Sequence, residues 1–212
     1  VPDHWLYSCL SDGLRQLEIP LSDTRQEILI AYLRLLEKWN RTYNLTAVRN
    51  IGQMVERHLL DSLSVLGLLR GRRFIDVGSG AGLPGLPLAI AAPKTEWVLL
   101  DSNAKKTRFL IQAVAELRLS NVTVIQSRVE EYRHTESFDM VTARAFASLA
   151  DLLQRTAHLL APEGYVLALK GKNVQQEVTE LPSGFTIVTT KRLKIPGTES
   201  ERHAVIARKE PR

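Results

Sequence analysis

The chain has one cysteine, Cys9, among its 212 residues. A lone thiol excludes an internal disulfide and any multi-cysteine metal site, and no metal is expected. No apolar run approaches the roughly 20 residues needed to span a bilayer, so no membrane association is expected. The opening residues, VPDHWLYSCL, have no basic segment ahead of a long apolar stretch. No export signal is read there, and a cytoplasmic location is expected. The triplets Asn44-Leu45-Thr46 and Asn121-Val122-Thr123 match the glycosylation pattern. Without export they are chance matches. No proline follows another proline, and no internal repeat or low-complexity segment occurs. Charge of one sign is in modest excess, with a formal net charge of +5. Residues 1–70 hold 8 Lys/Arg against 8 Asp/Glu, whereas 71–212 hold 20 against 15. That imbalance is compatible with a polyanionic partner.

What is present points to a globular α/β chain. Hydrophobic residues make up 44% and charged residues 24%, a balance able to build a full core. The stretch that organises the rest is FIDVGSGAGLPG, residues 74–85. Phe74–Val77 reads as a buried strand, followed by Gly78, Gly80 and Gly82 at every second position. Glycines so spaced let a backbone turn tightly and approach a ligand with no Cβ in the way. The turn is expected at the carboxyl end of the first strand of an open sheet, where such folds bind ligands.

Before this stretch the pattern is helical. Ile28, Ala31, Tyr32, Leu35, Leu36 and Trp39 recur at three- and four-residue steps, predicting an amphipathic helix over 22–40. Met54, Val55, Leu59, Leu63 and Leu66 predict a second over about 52–69. The first twenty residues carry no clear pattern. Residues 1–70 are therefore expected to form a helical extension, and 71–212 the sheet domain.

In that domain seven strand-like runs occur: 74–77, 97–100, 122–125, 140–143, 166–169, 185–189 and 203–207. Helical stretches fit at about 85–92, 104–118, 147–160 and 173–181. Such alternation implies a mostly parallel sheet covered on both faces. Only KRLKIPGTESE separates the last two strands, so an antiparallel pair is expected at the sheet edge.

Two ligand classes compete for the glycine loop. Gly80, Gly82 and Gly85 satisfy the dinucleotide fingerprint G-x-G-x-x-G, but two residues late, with Pro84 and Pro87 bracketing the helix start. Counted from Gly78, the third position is Leu83 and the match fails. The pattern Asp76-Val77-Gly78-Ser79-Gly80-Ala81-Gly82 instead resembles the first motif of Rossmann-like methyltransferases that use S-adenosylmethionine. That cofactor carries a sulfonium and an ammonium group, and a carboxylate such as Asp76 beside the loop suits positive charge. Asp101, ending the second strand, is placed to accept hydrogen bonds from ribose hydroxyls.

A closer likeness covers nearly the whole chain. The blocks KWNRTYNLTAVRN (38–50), RHLLDSL (57–63), FIDVGSGAGLPGLPLAI (74–90), LLDSNAKKTRFL (99–110), QSRVEEY (126–132), TARAFASL (142–149), ALKG (168–171) and ERHAVI (201–206) together resemble the bacterial RsmG (GidB) family. That resemblance implies a class I methyltransferase fold, S-adenosylmethionine as cofactor, and methylation of guanine N7 in the decoding-region loop of 16S ribosomal RNA. It implies that Gly78 and Leu83, with Ser79, Gly80 and Gly82 around them, contact the cofactor. Asp101 would hold the ribose, Val129 and Glu130 would flank the adenine, and Arg144 would sit at the mouth of the site.

The residues themselves narrow the chemistry. The Asn/Asp-Pro-Pro-aromatic block of exocyclic-amine methyltransferases is missing after the fourth strand, where Ala143-Arg144-Ala145-Phe146 stands. A cysteine nucleophile is equally absent there, so covalent catalysis is not expected. Guanine N7 bears a free lone pair and no proton, so positioning alone would serve. Arg144 and Lys170 are the candidate catalytic residues. Asn44, Arg49, His58, Lys170, Arg202 and His203 are the candidate RNA contacts. Asp61 shares a helical face with His58, and Lys105, Lys106 and Arg108 form a basic patch. For Trp39 and Tyr43, core packing and base stacking both stay open. The expected partner is folded 16S rRNA or the small ribosomal subunit, approached by a monomer. A methyltransferase for another base or a small molecule, a non-enzymatic assembly factor and a nicotinamide oxidoreductase remain as alternatives.

Overall fold

The computed structural model describes residues 4–146, 148–172 and 174–210. Its frame is a seven-stranded sheet ordered β3-β2-β1-β4-β5-β7-β6. The strands are β1 (Arg73–Val77), β2 (Glu96–Asp101), β3 (Val122–Gln126), β4 (Phe138–Arg144), β5 (Leu160–Lys170), β6 (Phe185–Leu193) and β7 (Arg202–Lys209). Strands β1 to β5 run parallel, with helices joining β1 to β2, β2 to β3 and β4 to β5 and a helix-free loop joining β3 to β4, whereas β7 runs antiparallel to both β5 and β6. The short β6–β7 connection forces that pair to be antiparallel. Of the two, β7 opposes the rest and lies one place in from the edge, with β6 outermost.

The strand order reverses at β1, which pairs with β2 on one side and β4 on the other. Crossovers on either side of such a point fall on opposite faces, leaving a crevice above the strand ends. Helices α5 (Gly85–Ala91) and α6 (Ala104–Glu116) cover one face, and α7 (Leu149–Thr156) covers the other.

The first face is also covered by the N-terminal helices α1 (His4–Gln16) and α2 (Asp23–Tyr43). Leu6, Leu10, Leu33 and Leu36 from these helices share one continuous core with Phe74, Leu86, Trp97 and Phe109. The extension is thus a layer of the core rather than an appendage.

Several boundaries differ from expectation for local reasons. The α1 helix, unread in the sequence, buries Leu6, Leu10 and Leu14 at four-residue steps. The single helix expected over 52–69 is instead α3 (Ile51–Met54), a π-helical turn (Val55–Leu60), α4 (Asp61–Leu63) and a 3-10 turn (Leu66–Leu68). Residues 58–63 are all buried, more than one α-helical face can turn inward. The wider π turn, in which the Asp61 amide donates to the Glu56 carbonyl, brings both His58 and Asp61 inside. Helix α7 stops at Thr156 because β5 begins at Leu160, opposite Phe138. The helix expected over 173–181 shrinks to α8 (Val174–Glu177). Residues 147 and 173, which fall within those two expected helices, lie outside the described set.

Because the core is shared, the extension and sheet should unfold together. Trp5 and Trp39 report on the extension and Trp97 on β2. In urea, tryptophan fluorescence and far-ultraviolet circular dichroism should give coincident midpoints. Replacing the fully buried Leu33 with Ala should lower stability by about 2–5 kcal/mol without splitting the transition. A separate early melt of the extension would contradict the shared core.

Candidate active site

The loop after β1 is built by backbone geometry. Gly78, Gly80 and Gly82 all have positive φ, at 69°, 59° and 91°. The amides of Gly78 and Ser79 donate to the Leu100 carbonyl at 2.8 and 3.1 Å, tying the loop to β2. Gly80 donates to Asp101 Oδ2 at 2.9 Å. Beneath the loop, the Tyr32 hydroxyl of α2 donates to the Ala81 carbonyl at 2.7 Å. A Cβ on Gly82 would come within 2.6 Å of Leu86, whereas one on Gly78 would meet no atom within 4 Å. Gly82 is needed for packing, and Gly78 keeps open space in front of the loop.

Asp76 corrects an expectation. Its carboxylate does not face a ligand but is wholly buried. Oδ1 accepts from the Thr142 hydroxyl at 2.9 Å and Oδ2 from the Gly85 amide at 3.2 Å. Burial pushes its pKa up to about 7, against the pull of those hydrogen bonds. Ser79 is likewise internal, donating to the Asp76 carbonyl at 2.7 Å, and Leu83 belongs to the apolar core. Asp76, Ser79, Gly82 and Leu83 shape the loop from behind.

In front of it lies a cavity of about 320 Å³, lined by Gly78, Asp101, Ser102, Val129, Glu130 and Phe146, among others. Asp101 Oδ1 accepts from the Asn103 amide at 2.8 Å, and Lys106 Nζ lies 3.8 Å from Oδ2. Glu130 is paired with Arg155 at the rim, and a backbone hydrogen bond, followed by that pairing, lowers its pKa. The open space at Gly78, an acid at the end of β2 and apolar Val129 fit a nucleoside bearing positive charge.

A second cavity, of about 350 Å³, gathers Arg144, Lys170, Arg202, His58, Asp61 and Thr46. These side chains come from β4, β5, β7 and the extension. Asp61, only 2% exposed, accepts from Arg144 Nη1 at 2.9 Å on Oδ2 and from Arg202 Nε at 3.1 Å on Oδ1. Arg144 also donates to the Arg57 carbonyl at 3.1 Å. Lys170 Nζ sits 2.7 Å from Glu177 Oε2 and donates to the Phe146 carbonyl at 3.3 Å. His58 Nε2 lies 2.8 Å from Thr46 Oγ1, and burial followed by the Arg144 charge pushes its pKa down to about 4. It is a neutral imidazole at physiological pH.

Ala145 and Phe146, consecutive in the chain, line one cavity each, so the two cavities adjoin. Arg144 stands in the second cavity, not among the residues lining the first. His203 is a further correction: it is 7% exposed, with Nδ1 3.2 Å from the Gly171 carbonyl, and braces the strand ends. Asn44 and Arg49 are exposed and pair with each other at 2.6 Å, on either side of the cavity-lining Thr46 and Val48.

With both cavities placed, comparison with known proteins is informative. A family model described as "rRNA small subunit methyltransferase G" matches residues 25–205. The chain belongs to that family. It is 53% identical over 196 residues to the ribosomal RNA small subunit methyltransferase G of Nitrosococcus oceani, covering 92% of each chain. It is 50% identical to the protein of the same name from Ectopseudomonas mendocina, covering 94% of each. A S-adenosylmethionine-dependent methyltransferase from Aquifex aeolicus superposes with a TM-score of 0.58 at 17% identity. That match covers 74% of this chain and 92% of the other and shows a common fold.

Four residues of this member of the family escape reading from sequence. Tyr32 looks like any apolar-face residue until its hydroxyl meets Ala81. Thr142 gains meaning only from the β1–β4 register that sets it beside Asp76. Glu177, which also accepts from the Leu149 amide at 2.5 Å, lies in a stretch read only as helical, with no sign of its partners. Asp61 is recognisable as a partner of His58 but not as the shared counterion of two arginines.

Asp76 generates a pH test. Its pKa is near 7 when folded and 3.8 ordinarily, so the folded state holds the extra proton and stability through this group falls as pH rises from about 4 to 7. Asp76→Asn removes that dependence. The variant should match the parent near pH 4 and exceed it at pH 8, by up to about 4 kcal/mol. Urea titrations at the two pH values measure the difference, and a pH-independent gap would contradict the burial argument.

Proposed function

We propose that the chain transfers the methyl group of S-adenosylmethionine to N7 of a guanine in 16S rRNA of the small ribosomal subunit. The observation that carries this reading is the adjacency of the two cavities. One is a glycine-edged, acid-lined pocket suited to a cationic nucleoside, the other a cleft of cations suited to RNA. Membership of the methyltransferase G family supports the same substrate.

Gly78 would let the backbone approach the cofactor, and Asp101 would accept from its ribose hydroxyls. Val129 would offer the adenine an apolar wall, with Glu130 at its edge. Bound there, S-adenosylmethionine supplies an already activated methyl group. Gly80 holds Asp101 in place through its amide, so the loop and the acid are aligned before a ligand arrives.

On the substrate side, Arg144 and Arg202 present positive charge to the RNA from two strand ends, while Lys170, buried and paired with Glu177, lines the wall between them. Asp61 fixes Arg144 and Arg202 relative to each other while leaving the remaining guanidinium donors for substrate. Arg144 and Lys170 flank the junction of the cavities and are the residues assigned to hold the guanine. Neutral guanine N7 needs no deprotonation, so a general base is not required. That agrees with His58 being buried, neutral and engaged with Thr46. Catalysis then rests on aligning the lone pair and excluding water. Acting on subunits, the protein works as a monomer in the cytoplasm.

The test is transfer of tritiated methyl to small subunits lacking the modification, followed by digestion to nucleosides. Label should appear in 7-methylguanosine. Label in another nucleoside would overturn the base assignment, and no label would overturn the activity. Arg144→Ala should lower kcat/KM by about 100-fold through loss of positioning. Asp101→Ala should instead raise the cofactor Kd by about 10-fold or more.

A further inference from the structure

Aromatic rings run in line from the glycine loop to solvent. Tyr32, bonded to the loop at Ala81, has its ring centre 6.4 Å from that of Phe109 on α6. Phe109 meets Trp39 edge-on at 5.7 Å, and Trp39 faces Tyr43 at 5.1 Å with 32° between planes. Exposure rises along the line: Tyr32 and Phe109 are fully buried, Trp39 is half-buried and Tyr43 is 42% exposed. The Tyr43 hydroxyl makes no hydrogen bond among the described residues. Its ring is held from behind by Trp39, with water on the outer side.

Positive charge is carried by the same two helices as this line of rings. Phe109 belongs to α6, whose first turns carry the exposed Lys105 and Arg108, neither with a carboxylate partner among the described residues. Lys106, on the same turn, lines the cofactor cavity next to Asp101. On α2, Lys38 is exposed and similarly unpaired, while the nearby acid Glu37 is occupied by Arg34 and Arg41. An exposed aromatic face on one helix, packed through Phe109 against a second helix that carries uncompensated cations, matches an unstacked base with its phosphates.

We propose that Tyr43, backed by Trp39, is a stacking platform for one base of the substrate RNA near the target nucleotide. Lys105 and Arg108 meet the phosphates beside it. The proposal rests on the reading of the protein as an rRNA methyltransferase. The buried end of the aromatic line fixes the platform relative to the glycine loop, so one rigid unit sets the distance between cofactor and docked strand. A purely local role is the competing explanation, since an aromatic pair at i and i+4 also stabilises a helix end.

The two are separated by Tyr43→Leu, which keeps apolar contact with Trp39 and removes the π face, and Tyr43→Phe, which keeps the ring. Binding to small subunits is measured directly, alongside methyl transfer. Tyr43→Leu should weaken subunit binding about 5- to 100-fold and raise KM accordingly. Its kcat and cofactor Kd should stay within about 2-fold, because stacking near the target is distant from the cofactor contacts. Tyr43→Phe should behave as the parent. Neutralising Lys105 and Arg108 together to Gln should reduce the slope of log binding constant against log salt by about 1.4. This readout stands even if Tyr43→Leu folds poorly. Parental binding by Tyr43→Leu, a Phe variant as weak as Leu, or an unchanged salt slope would each overturn the platform. Tyr43-dependent binding without methyl transfer by the parent would uphold the platform and overturn the enzymatic reading alone.

Discussion

A carboxylate with no access to water governs the geometry of this site. Asp76 is fully buried at the end of β1, and an ionisable group there is costly unless hydrogen bonds surround it. The required partners, Thr142 and Gly85, come from the neighbouring strand and the first residue of the following helix. Satisfying one group therefore locks β1, β4 and α5 together. Gly85 has no latitude: a Cβ there would lie 2.4 Å from Leu99 and 2.9 Å from Asp76 itself. With its root clamped, the loop can present Gly78 to a ligand without help from the ligand.

The second acid, Asp101, is the counterpart at the cavity wall. It shares with Asp76 a place at the end of a central strand, yet one is enclosed by the core and the other edges a cavity. Gly80 and Asn103 each use one lone pair on its oxygens, so further acceptor capacity faces the cavity. Two carboxylates in similar sequence settings thus divide the work. One builds the loop, and the other is available to what binds there.

The extension supplies the other half of the site. Tyr32 supports the loop from below, and the π turn carries His58 and Asp61 to the strand ends. Asp61 holds arginines from β4 and β7 that are far apart in the chain. Removing it would leave two guanidinium groups in one cleft without their shared counterion. The extension is therefore a structural member of the candidate site.

How much of this was legible in the sequence follows from the range of the forces involved. Strand and helix identity, the glycine loop and the strand-end positions of Asp101, Arg144 and Lys170 rest on periodicity and local turn chemistry, and the chain states these directly. Local pattern could not show that Asp76 points inward, that β7 inserts between β5 and β6, or that residues 55–60 widen into a π turn. Those outcomes depend on which groups meet across the sheet. Nor could spacing separate Tyr43 on the surface from Trp39 behind it, since both lie on one helical face. By itself the sequence determined the strands, the helices between β1 and β3, the loop and the kind of ligand it suits. Tertiary structure alone decided which charges are neutralised inside and which line the open cavities, because desolvation and pairing depend on neighbours that are distant along the chain.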